Sequence, residues 1–150
     1  MTEKRGITVE KYKVGYTQGV YDMFHIGHLN LLNNAKAYCD YLIVGVNSDE
    51  LVLQYKNKNA VINEQERRLI VENIKAVDEA IIADTLDKTV MLEKLHFDAV
   101  FIGDDWENSP RWQATKNELA QYGVDVVFLP HTDGISSTIL RPINTEKVEE

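Results

Sequence analysis

Short apolar, β-branched runs alternate with segments of helical periodicity along this 150-residue chain, and that alternation restricts it to one broad fold class. Val14–Thr17 and Tyr41–Val46 (Tyr-Leu-Ile-Val-Gly-Val) are near-continuous runs of the kind buried on both faces of a parallel sheet. Glu79–Ile82, Ala99–Ile102 and Val124–Leu129 repeat the pattern. Between them, Leu29–Tyr38, Glu64–Lys75, Asp87–Leu95 and Arg111–Tyr122 read as amphipathic helices. In the first, Leu29, Leu32, Ala35 and Ala37 fall near helical spacing. Asn63 with Glu66 supplies an N-cap and capping box for the second. Pro110 suits the first turn of the fourth, and Gly123 its C-terminal cap. The pattern predicts one α/β domain over residues 1–150, with its core at about 13–141: a doubly wound, Rossmann-like, five-stranded parallel sheet with helices on both faces.

Ligands on such sheets bind at the carboxyl ends of strands, near the point where strand order reverses. Three unusual segments are expected there: Gly19–His28, Gly103–Trp106 and His131–Thr138. The first ends in His25-Ile26-Gly27-His28, at the start of a helix. Histidines three residues apart lie on one helix face, where backbone N–H groups and the helix dipole favour an anion. Gly27 removes a side chain between them and lets a phosphate approach the backbone. No third His, Cys or carboxylate follows at zinc-ligand spacing, so no protein metal site is expected.

The net charge of −8 argues against a general nucleic-acid binder and sharpens the need for local positive charge at a phosphate site. Lys56, Lys58, Arg67, Arg68 and Lys75 concentrate in one stretch, either as a solvated basic helix face or as part of such a site. No apolar run reaches membrane-spanning length, and Met1–Arg5 lacks the apolar region of a signal peptide, which predicts a cytoplasmic protein. The one cysteine, Cys39, has no internal disulfide partner and is expected as a buried thiol. His96 reads as a C-terminal cap or surface residue.

Gly19-Val20-Tyr21-Asp22-Met23-Phe24-His25-Ile26-Gly27-His28 resembles the signature of the H-x-G-H nucleotidyltransferases. Thr132-Asp133-Gly134-Ile135-Ser136-Ser137-Thr138 resembles the R-T-x-G-I-S-T-T block of their cytidylyltransferase branch. Gly103-Asp104-Asp105-Trp106 is similar to the G-D-D-W turn of the glycerol-3-phosphate enzymes, and Lys56-Asn57-Lys58 with Arg67 nine residues on has their spacing. The resemblance spans Val14 to about Arg141 and implies transfer of CMP from CTP, with Mg²⁺, to a phosphorylated alcohol. Glycerol 3-phosphate is the first candidate, giving CDP-glycerol and pyrophosphate. Phosphoethanolamine, phosphocholine, another polyol phosphate or a phosphonate are the alternatives. A homodimer is also implied.

The resemblance carries over to particular residues. His25 and His28 would hydrogen-bond the triphosphate as charge grows on the leaving group, and Lys58 would bridge it to the acceptor phosphate. Gly19, Val20, Tyr21, Gly27, Gly103 and Asp104 would complete the nucleotide site, together with His131, Thr132, Gly134, Ile135, Ser136, Ser137 and Thr138. Asp22, Lys56, Lys75, Lys88 and Trp106 would serve the acceptor, Lys75 standing where the family carries an arginine. Asp22, Asp104 and Asp105 could hold Mg²⁺ through water, orient ribose or cytosine, or position a basic residue, and Trp106 could be a pocket wall or ordinary packing. His131 replaces a family arginine. That change is what supports a competing reading, a nucleotide-binding module without turnover. The Gly134–Thr138 block disfavours adenylyl transfer, and the absence of a K-M-S-K-S block disfavours an aminoacyl-tRNA synthetase.

Overall fold

The structure is a computed structural model that describes residues 11–130 in full and, as backbone, the strands Thr2–Lys4 (β1) and Ile7–Val9 (β2). These two strands pair antiparallel as a small separate ribbon. The main sheet has the order β5-β4-β3-β6-β7 and is parallel throughout, from Tyr12–Gly19 (β3), Cys39–Asn47 (β4), Glu79–Ala83 (β5), Ala99–Gly103 (β6) and Asp125–Leu129 (β7). The helices are Ile26–Lys36 (α1), Asp49–Lys56 (α2), Glu64–Glu72 (α3), Lys88–Leu95 (α4) and Pro110–Ala120 (α5). The expected five-stranded doubly wound sheet is therefore present.

Period-two alternation sorts each strand between two apolar layers. Leu42, Val44, Val46 and Phe101 pack with Leu32 and Ala35 of α1 and Val71 of α3, together with the buried thiol of Cys39. Their neighbours Tyr16, Ile43, Val100 and Ile102 point the other way, against Met91 of α4 and Trp112 and Leu119 of α5. Burial on both faces is why these strands read as continuous apolar runs.

The central strands part early. β3 pairs with β4 as far as Gly19↔Val46, but with β6 only at Gly15↔Ala99 and Tyr16↔Val100. The Thr17 hydroxyl then donates to the Phe101 carbonyl at 2.8 Å, and beyond it the chains diverge: β3 into α1 on one face, β6 towards α5 on the other. A crevice at the carboxyl ends of β3 and β6 follows from this topology.

Several caps have the form the sequence predicts. Asn63 Oδ1 accepts from the Glu66 amide at 3.0 Å, and Pro110 opens α5. Gly123 has φ +76°, and the amides of Gly123 and Val124 donate to the carbonyls of Ala120 and Leu119, which closes α5 in a Schellman arrangement. His96 caps α4 in the left-handed region. Helix α2 was not predicted. Its signal is Ser48, whose hydroxyl accepts from the Leu51 amide, followed by Asp49 and Glu50 in the first turn.

Gly15 lies against the layer beneath α1: a Cβ there would collide with the Phe101 ring and come within 2.8 Å of the Cys39 sulfur. Gly15→Ala is accordingly expected to lower the unfolding free energy by about 1–3 kcal/mol in urea titrations. Wild-type stability would contradict this packing.

Candidate active site

The loop from β3 to α1 carries unusual backbone. Tyr21 and Met23 have φ of +56° and +52°, a region costly for residues with bulky side chains. Neighbouring elements hold it there. Asp22 is buried, and its carboxylate accepts the amides of Val61 and Ile62 at 2.8 and 3.0 Å. Asp22 therefore clamps the α2–α3 connection to the loop, which is the structural work found for a residue expected to bind substrate.

Beneath this clamp sits Arg67, fully buried although basic residues of this stretch were open to reading as a solvated face. Its Nε donates to the Ile62 carbonyl at 2.7 Å, and Nη1 to the carbonyls of Val20 and Asn47 at 2.8 Å each. Nη2 pairs with Asp49 at 2.7 Å. One guanidinium thus ties the ends of β3 and β4, the start of α2 and the loop before α3. Arg68, next in sequence, makes an ordinary surface pair with Glu72 four residues on.

His25 is the N-cap of α1, and His28 lies three residues inside it. His25 Nδ1 accepts from the Gly27 amide at 3.1 Å, while the His25 amide donates to His28 Nδ1 at 3.3 Å. The rings stack at 3.9 Å, and His28 is buried with its ring 5.4 Å from that of Tyr21 and 5.2 Å from that of Phe24. The helix-capping and phosphate-binding readings of these histidines are compatible. With both Nδ1 atoms accepting, the neutral rings carry their protons on Nε2, as donors.

The lysines differ more from expectation. Lys56 is the last residue of α2 rather than a loop residue, with Nζ 5.8 Å from the Tyr55 ring centroid. Asn57 ends the helix at φ +57°, and Lys58 follows, half-buried, in a bend. Lys75 is exposed in the turn entering β5, at the amino-terminal edge of the sheet. Helix α3 has by then carried the chain back across the sheet, so Lys75 lies apart from His25 and His28 within the chain. Lys88 is buried at the start of α4, its Nζ donating to the Leu86 carbonyl at 2.9 Å and lying 5.2 Å from the Trp112 ring centroid. Burial, and then the nearby Arg111 charge, push its pKa from 10.5 down to about 7. The unfolded chain therefore holds more protons across that interval, and Lys88 makes folding more favourable as pH rises through it.

Asp104–Trp106 forms a 3-10 turn directly after β6, with Trp106 partly packed on the α4–α5 layer. A Cβ on Gly103 would come within 2.8 Å of Asp105 Oδ1, which favours glycine there. His131, Thr132 and Gly134–Thr138 lie outside the described residues. Sequence reasoning missed the polar chain Tyr16–Gln18–Asn47–Tyr55, which runs along one face of the sheet by hydrogen bonds of 2.6, 2.8 and 3.0 Å. Gln18, a buried polar residue in a central strand, was its available signal.

The parallel sheet and the histidine-capped helix at its carboxyl edge define a Rossmann-like α/β fold. Comparison with known proteins narrows the class further. The chain belongs to the cytidylyltransferase-like family, whose model matches residues 16–143, and has cytidylyltransferase activity as its family chemistry. It is 37% identical over 126 residues to the glycerol-3-phosphate cytidylyltransferase of Bacillus spizizenii, covering 83% of this chain and 92% of that one. It is also 41% identical over 138 residues to the ethanolamine-phosphate cytidylyltransferase of Dictyostelium discoideum, covering 84% of this chain and 36% of the relative. Among solved structures, a lipopolysaccharide core biosynthesis protein from Thermoplasma volcanium shares the fold, with a TM-score of 0.71 at 23% identity over 81% of this chain and 99% of that one.

Arg67→Ala should cost about 3–5 kcal/mol of stability in denaturant titrations, because it orphans the carbonyls of Val20, Asn47 and Ile62 and leaves Asp49 without its ion-pair partner. Arg68→Ala should stay within about 0.5 kcal/mol of wild type. Equal effects would contradict the assignment of Arg67 as the hub.

Proposed function

We propose that this chain transfers CMP from CTP to glycerol 3-phosphate, releasing pyrophosphate and CDP-glycerol. The observation that carries the reading is the stacked pair His25 and His28, held as Nε2–H donors at the N-terminus of α1 beside the β3–β6 crevice. A phosphate oxygen of the acceptor attacks the α-phosphorus, and the bond to the β-phosphate oxygen breaks as pyrophosphate leaves. In this reading the two imidazoles donate to phosphate oxygens that gain charge in the transition state, while the chain positions both reactants. Gly19, Val20, Tyr21 and Gly27 form the adjoining wall of the nucleotide site, and Gly103 and Asp104 the opposite one. Lys58 bridges the triphosphate and the acceptor phosphate, with Lys56 beside it, Lys88 as a further acceptor cation and Trp106 as a wall.

The segment His131–Thr138 is read as the second half of the nucleotide site, with Ser136, Ser137 and Thr138 on the β- and γ-phosphates. Mg²⁺ would arrive with CTP. The donor set suits that role: Asp104 and Asp105 supply carboxylates on the Gly103 turn, and Mg²⁺ favours phosphate oxygens and water with one or two carboxylates. Once bound, it neutralises triphosphate charge. A cytoplasmic homodimer belongs to the same reading. Among the described residues, no helix is long and apolar enough to cross a membrane.

The glycerol acceptor is favoured by the Gly103-Asp104-Asp105-Trp106 turn and by likeness to a relative of nearly the same length. Phosphoethanolamine is the second reading, favoured by the Dictyostelium relative.

Pyrophosphate release with CTP and Mg²⁺, run across glycerol 3-phosphate, phosphoethanolamine and phosphocholine, tests the reaction. His28→Ala should lower kcat about 10²–10³-fold, and an unchanged kcat would remove the residue from catalysis. The acceptor KM should rise as pH increases above about 7, where ligand-free Lys88 loses its proton and must regain it to bind phosphate. Lys88→Arg should flatten that dependence, since the guanidinium stays charged. A profile identical in both proteins would contradict the role of Lys88.

A further inference from the structure

Lys88 and Arg111 come from different helices and both lie against one buried ring, close enough for the Arg111 charge to act on Lys88. Lys88 Nζ lies 5.2 Å and Arg111 Cζ 5.9 Å from the Trp112 centroid. Trp112 itself is 1% exposed. Each cation sits in the first turn of its helix, where the backbone adds positive potential. Among the described residues no carboxylate forms an ion pair with Lys88. Its neighbour Asp87 is engaged with the backbone and hydroxyl of Thr89 at 2.9 and 2.6 Å. Tyr55 faces Arg111 from α2, with its hydroxyl accepting from Asn47. Two like charges packed on one apolar ring repel, and burial strengthens the repulsion. A doubly charged anion between them would turn that cost into binding energy.

We propose that Arg111 is a second phosphate-binding cation of the acceptor site, acting with Lys88, and that the pair selects phosphomonoesters whose alcohol half carries no positive charge. The inference rests on the acceptor chemistry proposed above and names its substrate class. A polyol phosphate presents only hydroxyls beside its phosphate. A phosphorylated amino alcohol brings an ammonium group one ethylene link away, into the field of both cations. Arg111 thus supplies repulsion against one acceptor class and attraction for the other. Its guanidinium suits phosphate by presenting paired N–H donors.

The test is calorimetric titration of glycerol 3-phosphate, phosphoethanolamine and phosphocholine into the full chain, as wild type, Arg111→Gln and Arg111→Lys, with pyrophosphate release measured on the same proteins. Arg111→Gln should weaken glycerol 3-phosphate binding about ten- to hundredfold and shrink its advantage over phosphoethanolamine, leaving the KM for CTP within about twofold. Arg111→Lys should recover much of the loss. Unchanged acceptor affinity and preference in Arg111→Gln, a loss shared equally by CTP, or a wild type that prefers phosphoethanolamine would each overturn the proposal. Absence of pyrophosphate release by wild type with every acceptor would instead overturn the proposed reaction, while the titrations still decide the role of Arg111.

Discussion

The candidate site depends on one buried guanidinium. Arg67 receives no solvent, yet it reaches carbonyls just after β3, at the end of β4 and in the α2–α3 connection, and pairs with Asp49 at the head of α2. Burying such a charge is costly unless its donors are matched, and here they are matched by the segments that must be held at the carboxyl edge of the sheet. Asp22 completes the arrangement from the other side, by accepting the amides of Val61 and Ile62. The left-handed Tyr21 and Met23 persist because this network fixes both ends of their loop. His25 and His28 then inherit their positions from a loop with little freedom left.

The other half of the crevice follows a different logic. On the α4–α5 side, positive charge is packed against an aromatic ring without an ion pair to Lys88 among the described residues. Arg67 is a cation whose protein partners are present, and it holds structure. Lys88 is a buried cation with a carbonyl for company, and its lowered pKa expresses that isolation. Under the proposed function, that contrast is what sets Arg67 apart as scaffold and Lys88 as a binding group.

Much of this was legible in the sequence. Tyr41–Val46 lies within β4, and Ala99–Ile102 within β6, because strands buried on both faces leave no polar interruption to confuse the pattern. The histidine pair was legible through spacing alone, and the structure adds the tautomer. Helix α2 was not, since its eight residues follow β4 almost without a break and the lysines at its end suggested a loop. Arg67 and Arg68 are indistinguishable as letters: which one faces inward depends on where Val20 and Asn47 bring their carbonyls. The place of Lys75 was hidden for a similar reason, because proximity along the chain does not show the full crossing of the sheet by α3. Arg111 carried no motif, and it is the fold that brings both it and Lys88 to the Trp112 ring.

The central claim is direct attack by an acceptor phosphate oxygen on the α-phosphorus of CTP beside His25 and His28. Phosphorus NMR of the products formed from glycerol 3-phosphate labelled with heavy oxygen in its phosphoryl group tests it most directly. The account predicts CDP-glycerol with the label in the bridge between its two phosphorus atoms, and unlabelled pyrophosphate. Label in the pyrophosphate, or no CDP-glycerol at all, would contradict it.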